Sequence, residues 1–253
     1  MRFRLKAFSF HLLASACALT LILGALYLGW YYWPGWYLTS VSRVLLILLS
    51  VDLVLGPTLT LIIANPKKPR RVLARDIAII AIVQLAALLY GGWTLWKGRP
   101  LYYTFSVDRL ETVQASDISE DEIALARKDN PAFAPHWYSR PRWLWAPLPE
   151  DPDQVAAIVK NATFGGGADV IDMPRYFKPW EAGLPQLRKE LVPVSQIKYF
   201  SQKEQKLMQS RIAKLGLKVD EKNALMMWGG SSRRLVAVFD LESLKIRALI
   251  RAD

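Results

Sequence analysis

Cysteine and histidine are scarce in this chain of 253 residues, and their scarcity excludes several kinds of functional site. Cys17 is the only cysteine, so the chain cannot form an internal disulfide, and His11 and His136 are too few for a histidine-rich metal site. An HExxH pair, a Gly-x-Ser-x-Gly elbow and a phosphate-binding P-loop are also missing from the sequence. We therefore predict no metal site, no cofactor and no enzymatic activity.

Long apolar runs are missing from residues 97–253, whereas three of them fill residues 1–96. The runs cover residues 7–33, 41–64 and 77–96, and each is long enough to cross a bilayer as a helix, which takes about 20 residues. From residue 97 onwards, charged residues recur every few positions. We predict a three-span transmembrane anchor over residues 1–96, followed by a water-soluble domain over residues 97–253.

Acidic residues are almost absent from the first 96 positions, which contain nine lysines and arginines but only two carboxylates. Eight of the nine basic residues precede the first run or lie between the second and third, and residues 34–42 carry no charge. By the positive-inside rule, the N-terminus and the 65–76 loop are cytoplasmic, and three crossings place the C-terminal domain in the periplasm of a Gram-negative host. The basic residues expected to fix this orientation and to face anionic lipid are Arg2, Arg4, Lys6, Lys67, Lys68, Arg70, Arg71 and Arg75.

The net charge of +11 is therefore concentrated in the anchor. Residues 97–253 contain 24 basic and 20 acidic residues, a balance of only +4. A basic surface that binds nucleic acid would need a larger local excess. We predict membrane lipids rather than nucleic acid as the partner of the basic residues.

Aromatic residues mark the predicted outer ends of the spans, where tryptophan and tyrosine favour the membrane interface. Pro34-Gly35 provides the turn between the first two spans. The residues that we expect to be interfacial anchors are Trp30, Tyr31, Tyr32, Trp33, Trp36, Tyr37, Trp93 and Trp96.

The soluble domain has the pattern of an α+β fold. Residues 101–107 and 110–114 are expected to pair as a hairpin, and capping residues at Ser119, Asp151 and Ser201 are expected to begin three helices. Residues 130–152, rich in proline and tryptophan, are expected to form an ordered but irregular arm, and Gly165-Gly166-Gly167 a loop. Three terminal strands, over 224–228, 234–239 and 245–251, predict a closing three-stranded antiparallel meander.

Asp52 lies in the middle of the second apolar run, where a carboxylate costs about 2.5 kcal/mol or more to insert. Three roles could explain a carboxylate at this position. It could form a structural hydrogen bond with Tyr90 or Thr20, or it could bind a polar or cationic group on another membrane helix. It could also belong to a proton or ion pathway, for which the candidate companions are His11, Arg43 and Gln84.

Gly56 and Pro57 follow Asp52 by about one helical turn. Pro57 cannot donate a hydrogen bond to the carbonyl of Leu53, so the second helix should kink here, one turn from Asp52. Gly56 removes side-chain bulk and allows another helix to approach closely. Together these residues predict a notch beside the carboxylate.

Several short segments resemble the type IV pilin accessory protein family (TfpX/TfpZ type). The resemblance is dense over residues 4–110 and thin between 115 and 220. It is carried by Arg4-Leu5-Lys6-Ala7-Phe8, Val51-Asp52-Leu53-Val54-Leu55-Gly56-Pro57, Gln84-Leu85-Ala86-Ala87-Leu88 with Tyr90-Gly91, Phe105-Ser106-Val107-Asp108-Arg109, and Val236-Ala237-Val238-Phe239-Asp240.

The resemblance implies a multi-pass inner-membrane protein that supports assembly or surface display of a type IV pilin. Its implied partner is the major pilin, held through the pilin's transmembrane helix and head by a chaperone-like, non-catalytic mechanism. The alternatives are a membrane enzyme that modifies the pilin and a small transporter or sensor component. The candidate partner-binding residues are Asp52, Gly56, Pro57, Tyr90 and Gln84.

Overall fold

A computed structural model describes residues 1–39, 41–164, 168–197, 200–218, 220–230 and 233–251. The chain forms two compact units. The first contains Met1–Tyr32 and Ser40–Gly98, and the second contains Trp33–Thr39 and Arg99–Asp253. The short segment between the first two apolar helices thus belongs to the second unit.

Three helices form the first unit: α1 (Arg2–Tyr31), α3 (Val41–Ile63) and α4 (Arg70–Lys97). Each is long and apolar enough to cross a membrane. Helix α4 begins well before the apolar run, so Arg70, Arg71 and Arg75 lie in its first turns rather than in a 65–76 loop. Arginine is a good helix former, so these charges do not end the helix. Lys68 precedes α4 and pairs with Asp76 at 2.8 Å.

Helix α3 widens into a π-helical turn over Ser50–Leu55, directly before Pro57. The amide of Gly56 donates to the carbonyl of Val51, five residues earlier. Because Pro57 has no N–H, the carbonyl of Leu53 loses its regular helical donor. The π turn contains Asp52 and was not predicted, since we expected only a kink at Pro57; π turns often occur at functional sites.

A mixed sheet organises the second unit. The described residues form seven strands in the order β4-β3-β1-β2-β5-β6-β7. The strands are β1 (Pro100–Ser106), β2 (Arg109–Gln114), β3 (Arg142–Trp145), β4 (Lys178–Pro179), β5 (Ala224–Trp228), β6 (Arg234–Phe239) and β7 (Ile246–Arg251). Pairs β1–β3 and β2–β5 are parallel, and the other neighbours are antiparallel.

The closing three-stranded antiparallel meander that we predicted is not confirmed, because the terminal strands belong to the seven-stranded sheet. Strands β5, β6 and β7 pair in sequence, but β5 also pairs with β2, so the three strands are one side of the larger sheet. The predicted β1–β2 hairpin is confirmed. The expected irregular arm is wrong over Arg142–Trp145, because this segment is strand β3. A strand of only four residues, flanked by Pro141 and Pro147, has too little periodicity to be identified from the sequence.

Within the described residues, five α-helices belong to the second unit: α2 (Gly35–Leu38), α5 (Glu120–Asp129), α6 (Pro152–Phe164), α7 (Leu184–Glu190) and α8 (Gln202–Lys214). Ser119 caps α5 as predicted, with its hydroxyl accepting from the Glu122 amide. Ser201 and Glu204 form the predicted capping box of α8. The glycine loop predicted at 165–167 lies outside the described residues.

Helix α2 is packed into the core of the second unit. Leu38 is fully buried, and Tyr37 is 5% exposed. They share a cluster with Tyr103, Phe105, Leu110, Leu187, Leu191, Leu225, Met227, Leu235, Ala237, Phe239 and Leu244. Gly229 is so close that an added Cβ would lie 2.3 Å from the Leu38 carbonyl oxygen. The prediction of an interfacial anchor is therefore wrong for Tyr37, and it is also wrong for Tyr31, which is buried in the first unit.

The hairpin between β1 and β2 holds a β-branched residue in an unfavourable conformation. Val107 has a φ of +52° and is exposed. An L residue in this left-handed region costs about 1–2 kcal/mol, and asparagine tolerates it best after glycine. We expect Val107→Asn to raise the free energy of unfolding of the second unit by about 1 kcal/mol. Val107→Thr is the matched control, since threonine keeps the β-branch and should give no gain. Urea-dependent pulse proteolysis of the full chain in micelles would measure both.

Candidate functional site

Four polar side chains meet inside the first unit, on three different helices. Asp52 and Thr60 lie on α3, His11 on α1 and Gln84 on α4. The two ring nitrogens of His11 lie 2.6 Å from the Thr60 hydroxyl and 2.7 Å from Gln84 Oε1. The Gln84 amide nitrogen donates to Asp52 Oδ1 at 3.3 Å. We call these four residues the polar cluster. In an apolar unit, such a network fixes how the helices pack.

Glycine at position 56 gives Gln84 the space to reach Asp52. A Cβ added to Gly56 would lie 2.1 Å from Gln84 Nε2, well inside contact distance. Asp52 and Gly56 are four residues apart, so they share one side of α3. The Asp-x-x-x-Gly spacing thus provides both the carboxylate and the gap through which its partner approaches.

A groove with a volume of about 480 Å³ opens over the polar cluster between α1 and α4. From α4 it is lined by apolar side chains and by Gln84, and its floor includes Asp52 and Thr60. The α1 residues that line it are Ala7, Phe10, His11, Ala14, Ser15 and Ala18. Four of these six are small, which lets the backbone of another helix approach α1 closely.

One oxygen of Asp52 is left without a partner in this groove. The residue is only 4% exposed, and Oδ2 has no hydrogen bond within the part of the chain that the structure describes. A buried acceptor without a partner costs about 1–3 kcal/mol. This oxygen can therefore accept a hydrogen bond from a donor outside the chain, or it can pair with a cation.

The structure brings together three of the five predicted partner-binding residues: Asp52, Gly56 and Gln84. Pro57 is buried beside Gly56 on α3. Tyr90 is 74% exposed and is not among the residues that line the groove.

The internal partner of Asp52 differs from the two that we expected. Tyr90 and Thr20 are both exposed, and the hydrogen bond goes to Gln84 instead. Thr60 was missed. The eight-residue spacing from Asp52 to Thr60 could have identified it, because residues about two turns apart share a helix face.

We expect Gly56→Ala to destabilise the first unit by about 1–3 kcal/mol, although alanine is the better helix former. The added methyl group would displace Gln84 and break its bonds to Asp52 and His11. Denaturation of the full chain by SDS in mixed micelles would measure the loss. Gly24→Ala is the control, since nothing lies within 4 Å of a Cβ there. In a Gln84→Ala background the penalty should largely disappear, and a penalty of unchanged size would contradict the steric explanation.

A second cavity, of about 540 Å³, lies in the second unit and is acidic. Its lining includes Glu111, Asp117 and Asp172. Burial, together with the charges of Asp117, Asp169 and Glu111, raises the pKa of the Asp172 carboxyl to about 7, against a hydrogen bond from the Asp169 amide. Within the described residues, no group of three or more His, Cys, Asp or Glu side chains could hold a metal ion.

Together, the two units define a class of protein: three apolar helices of membrane-spanning length, with polar groups meeting inside them, joined to a unit built on a mixed sheet. No family model matches the chain, and no solved structure matches it.

Comparison with curated proteins narrows this class. A fimbrial assembly protein of Dichelobacter nodosus, serogroup I, is 24% identical over 99% of this chain and 96% of its own length. The serogroup E1 protein is 23% identical over the same shares of both chains. The protein of serogroups C1 and C2 is 28% identical over 49% of this chain and 95% of its own length. These relatives confirm the resemblance to the type IV pilin accessory protein family.

Proposed function

We propose that this protein is a membrane accessory factor for type IV pilus assembly, and that it holds the transmembrane helix of a pilin in the groove between α1 and α4. The observation that carries the proposal is the Asp52 oxygen that has no partner among the described residues, in the floor of a groove whose α1 side is lined mostly by small residues. The relatives named as fimbrial assembly proteins support pilus assembly as the process.

The groove suits a helix better than a small polar molecule. Its walls are apolar apart from the polar cluster and Ser15, and lipid tails would compete poorly for a carboxylate. Small residues on α1 favour close helix–helix contact, which stabilises association where no hydrophobic driving force exists. The resemblance implies a pilin with one N-terminal membrane helix that carries a positive amine. A donor or cation on that helix would complete the hydrogen bonding of Asp52.

The proposed setting is the bacterial inner membrane. The basic residues before α1 and around the start of α4 support a cytoplasmic N-terminus by the positive-inside rule. After three crossings, the second unit is periplasmic, where it can contact the pilin head. Labelling of introduced cysteines in intact cells would test this orientation. In a Cys17→Ser background, Leu215→Cys is the position that we expect a membrane-impermeant reagent to label from the periplasm.

Filling the groove tests the docking proposal directly. Ala81 lines the groove on α4, whereas Ala86 on the same helix is exposed and lies outside the lining. We expect Ala81→Leu to lower pilin co-purification by about tenfold, which corresponds to about 1.4 kcal/mol, and Ala86→Leu to leave it unchanged. Asp52→Asn, which keeps the shape but removes the charge, should lower it as well. The cellular level of each variant must be measured alongside.

Two results would contradict docking in the groove. Unchanged co-purification with both Ala81→Leu and Asp52→Asn would show that the pilin binds elsewhere. Loss of the Asp52→Asn protein itself would assign Asp52 a structural role. Photocrosslinking from position 85, on the groove wall, then identifies the neighbour in the membrane.

The proposed mechanism is chaperone-like and non-catalytic. Holding a helix requires a complementary surface and no covalent step, and the relatives are named for assembly. We expect the intact mass of the pilin to be the same in cells with and without this protein. A mass difference would support the alternative, an enzyme that modifies the pilin.

A further inference from the structure

Exposed tryptophan and tyrosine side chains in the second unit are few and occur in two segments. Among its described residues, Trp33, Trp36, Trp137 and Tyr138 are the ones that qualify as exposed. Trp137 is 70% exposed and Tyr138 59% exposed. Tyrosine and tryptophan side chains are enriched at contact surfaces, where one end of the side chain is apolar and the other is wet.

Each segment is linked to a place where the chain leaves one unit and enters the other, the first by sequence and the second by a hydrogen bond. Trp33 and Trp36 lie in the segment 33–39, which the chain enters directly from α1. The other segment is tied to Arg99, which follows the end of α4 by two residues. The Arg99 side chain is 4% exposed and donates from Nη2 to the carbonyl of His136 at 3.4 Å.

The loop that carries Trp137 and Tyr138 has a defined conformation. The amide of Ser139 donates to the His136 carbonyl at 3.1 Å, and the His136 amide donates to the Ser139 hydroxyl at 2.9 Å. The His136 and Tyr138 rings are stacked at 5.4 Å, and Trp137 packs edge-on against Tyr138. The exposed rings are therefore presented by a closed turn, at little cost in conformational entropy.

We propose that the 136–138 loop is a lipid-binding surface that inserts Trp137 and Tyr138 among the phospholipid headgroups. This inference rests on the membrane setting given under the proposed function. Two observations favour lipid over a protein partner. The loop is hydrogen-bonded to Arg99, two residues beyond the end of α4, and the exposed Trp and Tyr are the residue types enriched at bilayer interfaces. Exposed Arg140, which follows the loop, adds a cation for headgroup phosphates.

The lone cysteine of the chain makes a clean depth measurement feasible. In a full-length Cys17→Ser background, we would introduce Trp137→Cys, Tyr138→Cys, Leu215→Cys or Leu89→Cys and attach an environment-sensitive fluorophore. Leu215 is an exposed position of the second unit away from the loop in sequence, and Leu89 is an exposed residue in the middle part of α4. Each labelled protein is placed in phosphatidylethanolamine–phosphatidylglycerol vesicles that contain a nitroxide quencher either below the headgroup or deep in the acyl chains.

We expect the shallow quencher to reduce emission from positions 137 and 138 about twofold more than emission from position 215. Equal quenching at 137, 138 and 215, with strong deep quenching at 89, would overturn the lipid-binding loop while leaving the membrane-spanning helices in place. Weak quenching at 89 would instead refute the membrane setting itself, and the loop with it. Quenching at 137 that matches 215, together with a spectral change on adding purified pilin, would identify a protein contact and also overturn the inference.

Discussion

Truncation of Leu38 to alanine is expected to destabilise the second unit by about 2–5 kcal/mol, although this residue lies far from that unit's main segment in sequence. Its side chain is fully buried among residues of the strands and helices that follow residue 99. Removing it leaves a cavity in the core, since the sheet around it cannot collapse freely. Hydrogen–deuterium exchange of the full chain in micelles should show faster exchange in β5 and β6.

Two further variants make this prediction specific. Gly229→Ala disturbs the same contact from the Gly229 side and should also destabilise the unit. The added Cβ would clash with the backbone of Leu38, which cannot move aside as the end of a side chain could. Leu215→Ala is the matched control, because Leu215 is 55% exposed and its truncation should cost well below about 1 kcal/mol. Slow exchange retained in both Leu38→Ala and Gly229→Ala would show that segment 33–39 does not support the core.

The second unit is expected to lose stability as the pH rises from about 4 to 7, because of Asp172. Its carboxyl has a pKa of about 7 when folded, against 3.8 for the ordinary side chain. Between these values the folded protein keeps a proton that the unfolded chain releases, so folding is favoured at low pH and the advantage is lost as pH approaches 7. The full difference corresponds to at most roughly 4 kcal/mol. Burial also raises the pKa of Asp117, which acts in the same direction.

Asp172→Asn should remove most of this pH dependence and stabilise the unit at pH 8. Asparagine can still accept the amide hydrogen bond from Asp169 and carries no charge to bury. Asp153→Asn is the control, because Asp153 is exposed and its replacement should leave the slope unchanged. Urea midpoints of the full chain, measured by pulse proteolysis from pH 5 to pH 8, would decide the matter. A wild-type midpoint that rises with pH over this range would contradict the assignment.

The elements that the sequence predicted well are those with a local physical signal. Apolar length identified the three helices, and the Ser201–Glu204 capping box identified the start of α8. Strand β3 has no such signal, because its position in the sheet depends on pairing with β1, about 40 residues earlier. The register and order of a sheet come from distant contacts, which periodicity alone does not encode.

The candidate site was predictable in part. A carboxylate in an apolar run pointed to Asp52, and the nearby glycine pointed to a close approach, which Gln84 makes. Thr20 and Tyr90 were expected as partners of Asp52 because counting residues along each helix places all three at a similar depth. Such a count gives the height along a helix but not the rotation of the helix about its axis. Both residues are on the outer face. The polar cluster needed the rotational setting of α1, α3 and α4, which comes from their packing.

Helix α2 has a consequence for how this protein matures. Its residues leave the ribosome early, but the core they complete includes β5 and β6, which are made last. The second unit is thus a discontinuous domain with high contact order, and such topologies fold slowly because the loop must close before its contacts form. A secreted fragment that starts at residue 99 would expose the cleft that Leu38 fills. Restoring residues 33–39 by fusion to that fragment would be the rational route to a soluble form.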